Sequence, residues 1–498
     1  MRTKLVPSGN AILLMLLMLF LLLLIPIVAA EESIYHCGDR IKELATNGSL
    51  PEEDIYWGAV DGLPSKAEYP VLLLTFAACE KHCGSGSTLH PWETTADTVT
   101  TWVLPLVGLV LQAPFESNNF RGTMLLVFRW LGSPIVSMMY IFWNIRVTRK
   151  CAIMADMSVG MGDHPRPPSG FSGLRDSLYL LSVVNQYQLN IWPGLREQDM
   201  EYILRVGLFD TGPEFQEMRG RVATNIRRER RRGTVQALVS LGWFLVALGI
   251  SINKAFGDLG EDSSASNLAL GLLVCWLPVL VAAAIVDRNP MDAGDVSAKL
   301  NECLRSIVMA IPRELYIPQG VTGNEILGGF AGQGRVHWHC GAASSILCTL
   351  EGLPDMGRGW LDIYENDHEL TIAPSQRWQM IASSQGWQMT ASFTLVCSCI
   401  IGAFILSYFT PTVGLGCRSA GYMIFGLNSF VCLFIEIGAW VFLPMGRRRE
   451  AARWFLRLCE FTNFCWLMYI ITAQTRGTYN NCRCKSSVWG GGGYVDFE

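Results

Sequence analysis

Charged side chains are scarce in this chain, and their scarcity bounds the class of protein. Only 16% of the 498 residues are charged, whereas soluble domains carry about 25%. Half of the residues are apolar, and they are gathered into long runs instead of being spread at core periodicity. The formal net charge is −4, and the basic residues stand beside apolar runs, which excludes nucleic acid as a partner. The composition predicts contact with a lipid bilayer.

Catalytic signatures are missing as well. The sequence has no Gly-x-Ser-x-Gly elbow, no paired-Asp metal motif, no His-box array and no Walker Lys-Ser/Thr pair. We therefore predict no catalytic residue, no cofactor and no metal site. A missing motif is weaker evidence for membrane enzymes than for soluble ones, so an enzyme acting on a lipid-soluble substrate stays open as an alternative.

Residues 1–30 have the layout of a secretory signal peptide. Basic residues come first, an apolar stretch follows, and small residues lead up to Ala30, where cleavage is expected. The alternative is an uncleaved signal anchor. Residues 31–97 are predicted to be extracellular or lumenal in either case. This acidic segment contains an Asn-Gly-Ser sequon, which predicts a glycan on Asn47.

Six apolar runs reach the roughly 18 residues needed to cross about 30 Å of hydrocarbon. They cover residues 122–145, 235–252, 267–286, 391–409, 421–443 and 454–473. A seventh run, residues 98–115, is interrupted by two prolines and is interpreted as re-entrant or transmembrane. The predicted fold class is an all-α transmembrane helix bundle, with six spans favoured and seven possible. The bundle carries a small disulfide-bearing N-terminal ectodomain and two cytosolic segments.

Arginine clusters predict the orientation, because the cytosolic flanks of membrane helices are enriched in Lys and Arg. Such clusters follow the first span, precede the second and separate the last two. Six crossings place all of them in the cytosol, whereas a further crossing at 98–115 would reverse them. Residues 146–232 and 287–388 are then cytosolic, and the Cys- and Gly-rich tail 474–498 is external. The expected location is the plasma membrane or an endomembrane of the secretory pathway.

Six cysteines fall on the predicted oxidising side, and the even number favours disulfides. They are Cys37, Cys79, Cys83, Cys417, Cys482 and Cys484. Six cysteines allow 15 pairings, so the connectivity stays open. The close spacings Cys79-x3-Cys83 and Cys482-x-Cys484 favour bonds to other parts of the chain. We expect the ectodomain and the tail to be joined to the external loop at Cys417.

The first cytosolic segment offers two features. Residues 175–187 can form an apolar helical face, which is interpreted as a helix docked on the membrane domain. The arginine-rich end of the segment is a candidate site for anionic lipid at about 1 kcal/mol per basic residue, with a topological stop signal as the alternative. The arginines are Arg227, Arg228, Arg230, Arg231 and Arg232.

A glycine-rich stretch at 328–341 is the unusual feature of the second cytosolic segment. A glycine turn that leads into a helix could present N–H groups and Arg335 to an anion, and His337 and His339 could be imagined as metal ligands. No strand is predicted ahead of it, and the spacings of nucleotide and zinc sites are lacking. A structural turn is favoured, with Arg335, His337 and His339 kept as candidate functional residues.

Charged residues inside the predicted spans are the remaining candidates, because a charge at the bilayer centre costs at least about 2.5 kcal/mol. Glu436 and Glu460 lie in the cytosolic halves of their spans, where salt bridges to Arg453 and Arg457 are expected. Relaying protons or binding a cation is the less favoured alternative for the two carboxylates. Arg129 lies near the external end of its span, so a direct pair with Glu436 is not expected, and snorkelling accounts for the arginine.

Four features occur together in this chain: the signal peptide, two glycine-containing motifs and a Cys- and Gly-rich tail. The two motifs are Gly332-Gln333-Gly334-Arg335 with Trp338-His339, and Val413-Gly414-Leu415-Gly416-Cys417-Arg418-Ser419. The tail contains Asn481-Cys482-Arg483-Cys484 and Trp489-Gly490-Gly491-Gly492-Gly493-Tyr494. The combination resembles a family of uncharacterised multi-pass integral membrane proteins of filamentous fungi. The resemblance covers most of the chain. It implies a membrane helix bundle and carries no activity and no catalytic residue.

Three classes of function follow from these observations. We favour a non-enzymatic sensor or scaffold, in which the ectodomain binds and the cytosolic segments signal or dock. The alternatives are a transporter of a small solute or ion, which the lack of a visible inverted repeat disfavours, and a membrane enzyme. Internal structural symmetry would favour transport. A closed polar cavity lined by Arg335, His337 and His339 would favour an enzyme.

Overall fold

The computed structural model of the protein describes the helical and sheet-forming parts of the chain together with the turns that adjoin them. These are residues 34–58, 71–90, 106–110, 120–158, 171–189, 212–228, 270–285, 293–310, 326–330, 374–409, 414–442, 447–486 and 494–496, with residue 346 and short pieces between 203 and 249.

Helices make up most of the described residues, in agreement with the predicted all-α class. They are α1 (Ile34–Thr46), α2 (Phe76–Cys83), α3 (Phe120–Gly132), α4 (Pro134–Met157), α5 (Phe171–Val184), α6 (Pro213–Arg228), α7 (Leu270–Leu273), α8 (Leu277–Ile285), α9 (Ala293–Ala310), α10 (Pro374–Phe409), α11 (Cys417–Phe442), α12 (Arg447–Arg476) and α13 (Cys482–Lys485). A 3-10 turn, Val274–Trp276, joins α7 to α8.

Two small antiparallel sheets accompany the helices, and the sequence did not predict them. The strands are β1 (Ile55–Gly58), β2 (Val71–Thr75), β3 (Tyr187–Leu189), β4 (Leu327–Phe330) and β5 (Tyr494–Asp496). The first sheet has the order β1-β2-β5, so its third strand comes from the C-terminal tail. In the second sheet β3 pairs with β4, which ties the two predicted cytosolic segments to each other.

Two of the described helices are long and apolar enough to cross a membrane. They are Gly386–Tyr408 within α10 and Cys417–Ala439 within α11, and they coincide with the runs predicted at 391–409 and 421–443. A third crossing exists if the bent pair Met124–Gly132 and Pro134–Met157 is one broken span. These helices identify the chain as a membrane protein.

The other predicted spans take different forms. The run at 454–473 lies inside α12, a continuous helix of 30 residues, whose mean hydropathy is lowered by the charged residues Arg453, Arg457 and Glu460. The run at 267–286 is divided into α7, the 3-10 turn and α8. Most of the run at 235–252 lies outside the described residues.

Large apolar side chains are exposed along α10, α11 and α12. They include Leu395, Ile401 and Leu406 on α10, Leu427 and Phe434 on α11, and Phe455 and Leu458 on α12. Exposed apolar surface on three neighbouring helices marks a surface built for an apolar environment. We therefore assign the exposed faces of α10 and α11, which carry the two candidate spans, to the lipid hydrocarbon.

The run predicted as one helix at 122–145 breaks at Ser133, where α3 and α4 meet at 104°. Pro134 occupies the first turn of α4. A proline at that position lacks a backbone N–H and clashes with the carbonyl group four residues earlier, so a helix cannot continue through it. The bend turns the end of α3 into the bundle, where it packs against α12.

The main hydrophobic core lies where α4, α10, α11 and α12 meet. Trp130 and Trp276 are fully buried there, and the Trp276 indole N–H donates to the backbone oxygen of Trp130 over 3.1 Å. The described part of the 98–115 run, residues 106–110, is helical and packs on this core. The Trp130 indole in turn donates to the backbone oxygen of Leu109 over 3.1 Å.

We predict that Gly132→Ala disrupts the contact between α3 and α12. A methyl group at Gly132 would collide with the backbone oxygen of Glu460, and overpacking of this kind costs about 1–3 kcal/mol. The expected result is a lower unfolding temperature of the detergent-solubilised protein. Gly438→Ala on α11 is the matched control, because a methyl group there meets no atom within 4 Å. Equal unfolding temperatures for the two variants would contradict the close approach.

Candidate functional site

The candidate site is a buried ionic cluster made by Arg129 on α3, Glu436 on α11 and Glu460 on α12. Each of the three residues is at most 3% exposed. Arg129 is positioned by the bend at Ser133, since it lies in the last turn of α3 where that helix meets α12. Gly132 allows the close approach, because its lack of a side chain leaves room for the backbone of Glu460.

The guanidinium of Arg129 contacts both carboxylates. Its Nη2 atom lies 3.2 Å from Glu436 Oε2 and 3.4 Å from Glu436 Oε1, a forked hydrogen-bonded pair. Its Nε atom lies 3.8 Å from Glu460 Oε1, which is within ion-pair range and beyond hydrogen-bond range. Arg129 is therefore bound tightly to one carboxylate and loosely to the other.

This pairing corrects the sequence interpretation of Arg129. Sequence analysis placed the arginine near one end of a straight span, too far from Glu436 to pair, and assigned it to snorkelling. The bend at Ser133 removes that geometry, and Arg129 is buried inside the bundle at 1% exposure. Glu436 and Glu460 do converge as expected, but Arg129 is the partner that the structure places between them.

Asn463 supports the cluster from one turn further along α12. Its Nδ2 atom donates to the backbone oxygen of Gly132 over 2.6 Å and to Ser429 Oγ over 3.1 Å. The first bond satisfies a carbonyl group at the end of α3 that the helix break leaves without an intrahelical partner. Asn463 is a polar residue inside the apolar run at 454–473, and the sequence signal that singles it out is its spacing of three residues from Glu460.

Several polar atoms of the cluster have no hydrogen-bond partner among the described residues. They are Arg129 Nε, Arg129 Nη1, Glu460 Oε1 and Asn463 Oδ1. Buried polar groups are nearly always hydrogen-bonded, so the cluster has capacity for a small polar occupant such as a proton or a water molecule. Chemically, the site can hold or release charge.

A disulfide-linked unit lies at one end of the bundle, and we call it the disulfide module. It consists of α1, α2, α13 and the sheet β1-β2-β5. The structure joins all six predicted cysteines in pairs: Cys37 with Cys83, Cys79 with Cys482, and Cys417 with Cys484. Disulfides are thereby confirmed, and the tail is bonded both to the N-terminal segment and to the first residue of α11.

The disulfide module has a small core of its own. Ile41, Leu72, Leu74 and Val495 are buried around Cys37 and Cys79. The sulfur atoms of Cys79, Cys83 and Cys482 lie within 4.8 Å of one another. All three are oxidised, so they offer no thiolate ligand to a metal.

Asn47 lies in an exposed turn after α1, where a glycan would meet solvent.

The first predicted cytosolic segment packs on the bundle through α5. The Trp143 indole N–H on α4 donates to Asn185 Oδ1 over 3.3 Å, and the Asn185 amide donates to Asn144 Oδ1 over 3.2 Å. The helix predicted at 175–187 is therefore docked on the membrane domain. Cys303 lies on α9, and burial raises the pKa of its thiol to about 11. The thiol is therefore protonated at neutral pH and is a poor nucleophile.

Arg227, one of the arginines of the candidate lipid site, is partly buried and binds protein groups instead. Its Nη1 atom lies 2.7 Å from Asp176 Oδ1, and its guanidinium stacks over the Tyr179 ring at 4.4 Å. These contacts fasten α6 to α5. Arg228 is exposed, and the other three arginines of the predicted lipid site lie outside the described residues.

The glycine-rich stretch begins with a strand that the sequence did not predict. Gly328 and Gly329 lie in β4, and Asn301 on α9 holds the strand by donating to the backbone oxygen of Leu327 over 3.0 Å and accepting from its N–H over 2.7 Å. The expectation of no strand ahead of the glycine turn is thus corrected. Arg335, His337 and His339 lie outside the described residues.

Comparison with family models, with curated proteins and with solved structures finds no match for this chain. The predicted resemblance to the fungal membrane family therefore stays a prediction.

We predict that Arg129→Met strongly destabilises the protein. Removing one partner from a buried ion pair leaves uncompensated charge and costs about 3–5 kcal/mol. The expected result is a large drop in the unfolding temperature in detergent. Arg175→Met is the control, because that side chain is 54% exposed where it pairs with Asp176 and surface pairs contribute about 0–1 kcal/mol.

A compensated variant separates charge from shape. Arg129→Met combined with Glu436→Gln and Glu460→Gln removes all three ionisable side chains, and we expect it to recover most of the lost stability, since a neutral replacement of a buried ionic group is often tolerated. An Arg129→Met protein as stable as the wild type would show that the cluster is not ionic.

Proposed function

We propose that the chain is a non-enzymatic membrane sensor, in which the disulfide module binds outside the cell or in the lumen and displaces the helices to which it is bonded. One observation carries the proposal: the module is covalently fixed to α11 and, through the tail, follows directly from α12. These are the two helices that hold Glu436 and Glu460. A module that served only as a cover would not need to be fixed to both.

The contacts around the tail support a rigid connection. The N–H of His90 donates to the backbone oxygen of Arg476, the last residue of α12, over 3.0 Å. The N–H of Thr88 donates to the backbone oxygen of Asn480 over 2.8 Å. Gly477 has a positive φ of 73° and turns the chain out of α12 into this contact, a conformation that favours glycine.

Displacement at the module has a path along α11. Glu436 lies roughly 28 Å from Cys417 at a rise of about 1.5 Å per residue. A helix transmits axial shift and rotation over such a length because its backbone is internally hydrogen-bonded. At the far end, the loose contact between Glu460 and Arg129 is the one that a small shift would alter first.

The proposed topology has six crossings, with the disulfide module and the tail on the oxidising side. Disulfides persist in secreted and lumenal compartments and are rare in the cytosol, which supports this side for the module. The arginine clusters then face the cytosol, together with α5, α6 and α9. This topology includes cleavage of residues 1–30 as a signal peptide and residence in the plasma membrane or an endomembrane.

The buried cluster also favours a second function, transport of a small ion. Intramembrane carboxylates paired with an arginine are found along ion and proton pathways. The two functions differ in a measurable way, because a transporter moves an ion across proteoliposomes whereas the sensor changes its conformation without flux.

We predict that Asn47 is glycosylated when the chain is expressed in cells with a secretory pathway. The expected result is a faster-migrating protein on gel electrophoresis after Asn47→Gln or after glycosidase treatment, because the exposed turn is accessible to the glycosylation machinery. Ser49→Ala should give the same shift, and Ser49→Thr should not. An unshifted band in intact protein from such cells would place the module on the cytosolic side.

We predict that the bond between Cys417 and Cys484 couples the module to the ionic cluster. Removing it by Cys417→Ser with Cys484→Ser should increase hydrogen–deuterium exchange in α11 and α12 around Glu436 and Glu460. Cys37→Ser with Cys83→Ser is the matched control, because that bond lies within the module and its loss should raise exchange mainly in α1. If hydrogen–deuterium exchange increased only within the module in both variants, the sensing function would be refuted and the scaffold function would remain.

A further inference from the structure

We propose that Glu460 binds one proton inside the bundle and shares it with the side-chain oxygen of Asn463, while Arg129 and Glu436 form the permanent ion pair. The site is a proton-binding site, and it follows from the hydrogen-bond geometry of the cluster independently of the sensing function.

The two carboxylates of the cluster are not equivalent. Glu436 accepts two hydrogen bonds from Arg129 Nη2, at 3.2 and 3.4 Å. Glu460 Oε1 is 3.8 Å from Arg129 Nε, and it is buried without a hydrogen-bond partner among the described residues. An ionised carboxylate with an unsatisfied oxygen in an apolar surrounding is costly, so Glu460 is the member that gains from a proton.

Asn463 supplies the acceptor for that proton. Both hydrogen atoms of its amide nitrogen are in use, one on the backbone oxygen of Gly132 and one on Ser429 Oγ. Ser429 Oγ is an acceptor here because its own hydrogen is donated to the backbone oxygen of Phe425 over 2.9 Å. The amide therefore cannot flip, and Asn463 Oδ1 remains a buried acceptor without a donor.

A proton on Glu460 satisfies both unpartnered oxygens at once. Residues three apart on a helix are neighbours, with about 5–6 Å between their Cβ atoms, so the carboxyl group of Glu460 is within reach of Asn463 Oδ1. The proton leaves Arg129 with one ionised carboxylate, a neutral pair. Without that proton both oxygens remain buried acceptors with no hydrogen-bond donor among the described residues, which is costly.

The other charged and titratable groups around Glu460 do not replace this proton. On α11, Cys432 faces both carboxylates, and on α12, Cys459 faces Glu460. Both are thiols, which are neutral at neutral pH. Arg457, one turn earlier on α12, also acts on Glu460, but its guanidinium lies over the Trp454 ring at 5.0 Å.

Infrared difference spectroscopy of the full-length protein in lipid nanodiscs tests the proposal. At neutral pH we expect the C=O stretching band of a protonated carboxyl group, shifted in D2O. The band should be lost in Glu460→Gln and retained in Glu436→Asp, the control that keeps an ionised carboxylate beside Arg129. Asn463→Leu should keep the band and move it to higher frequency, because the hydrogen bond from the carboxyl group is removed.

Four results would overturn the proposal. The first is the absence of the band in the wild-type protein, which would show that Glu460 is ionised. This measurement does not depend on the folding of any variant. The second is a band retained in Glu460→Gln, and the third is a band that shifts only in Glu436→Asp. The fourth is loss of the wild-type band when sodium or potassium ions are added, which shows that the site takes a metal cation instead.

Discussion

The pairing of Arg129 with two buried carboxylates is the interaction on which the arrangement of the bundle depends. Three helices contribute one ionisable side chain each, and neither α3 nor α11 can withdraw without leaving an uncompensated charge in an apolar surrounding. Lipid gives packed helices little hydrophobic reason to associate, so polar contacts between helices carry unusual weight there. The cluster therefore selects which helices are neighbours as well as holding them together.

The bend at Ser133 is what makes this pairing possible, and the residues around it act in concert. Pro134 ends α3, Gly132 lets the end of that helix approach α12, and Asn463 hydrogen-bonds the carbonyl group left open at the break. Each of these three structural features depends on the other two. A longer side chain at Gly132 would hold the helices apart, and without the break Arg129 would point along a straight span instead of into the bundle.

Sequence reasoning succeeded where composition alone decides the outcome. Long apolar runs predicted the spans in α10 and α11. The even number of cysteines on the predicted oxidising side, together with their close spacings, predicted the six disulfide-bonded cysteines. It failed where a residue's partner is distant in sequence: the contact of Arg129 with Glu436 depends on a 104° bend, and no local pattern reports a tertiary angle. The strands were missed because each has only three to five residues, too few for an alternating pattern to be distinguished from a loop.

The bond between Cys79 and Cys482 spans 403 residues, and this separation constrains how the protein is made. At about 5–20 residues per second, a ribosome needs roughly 20–80 s to reach the second cysteine after the first. During that interval Cys79 has no native partner, and every helix from α3 to α12 is synthesised before the bond can close. Closure therefore reports that the intervening helices have all been made, and a chain stopped early would retain an unpaired thiol that quality-control oxidoreductases can recognise.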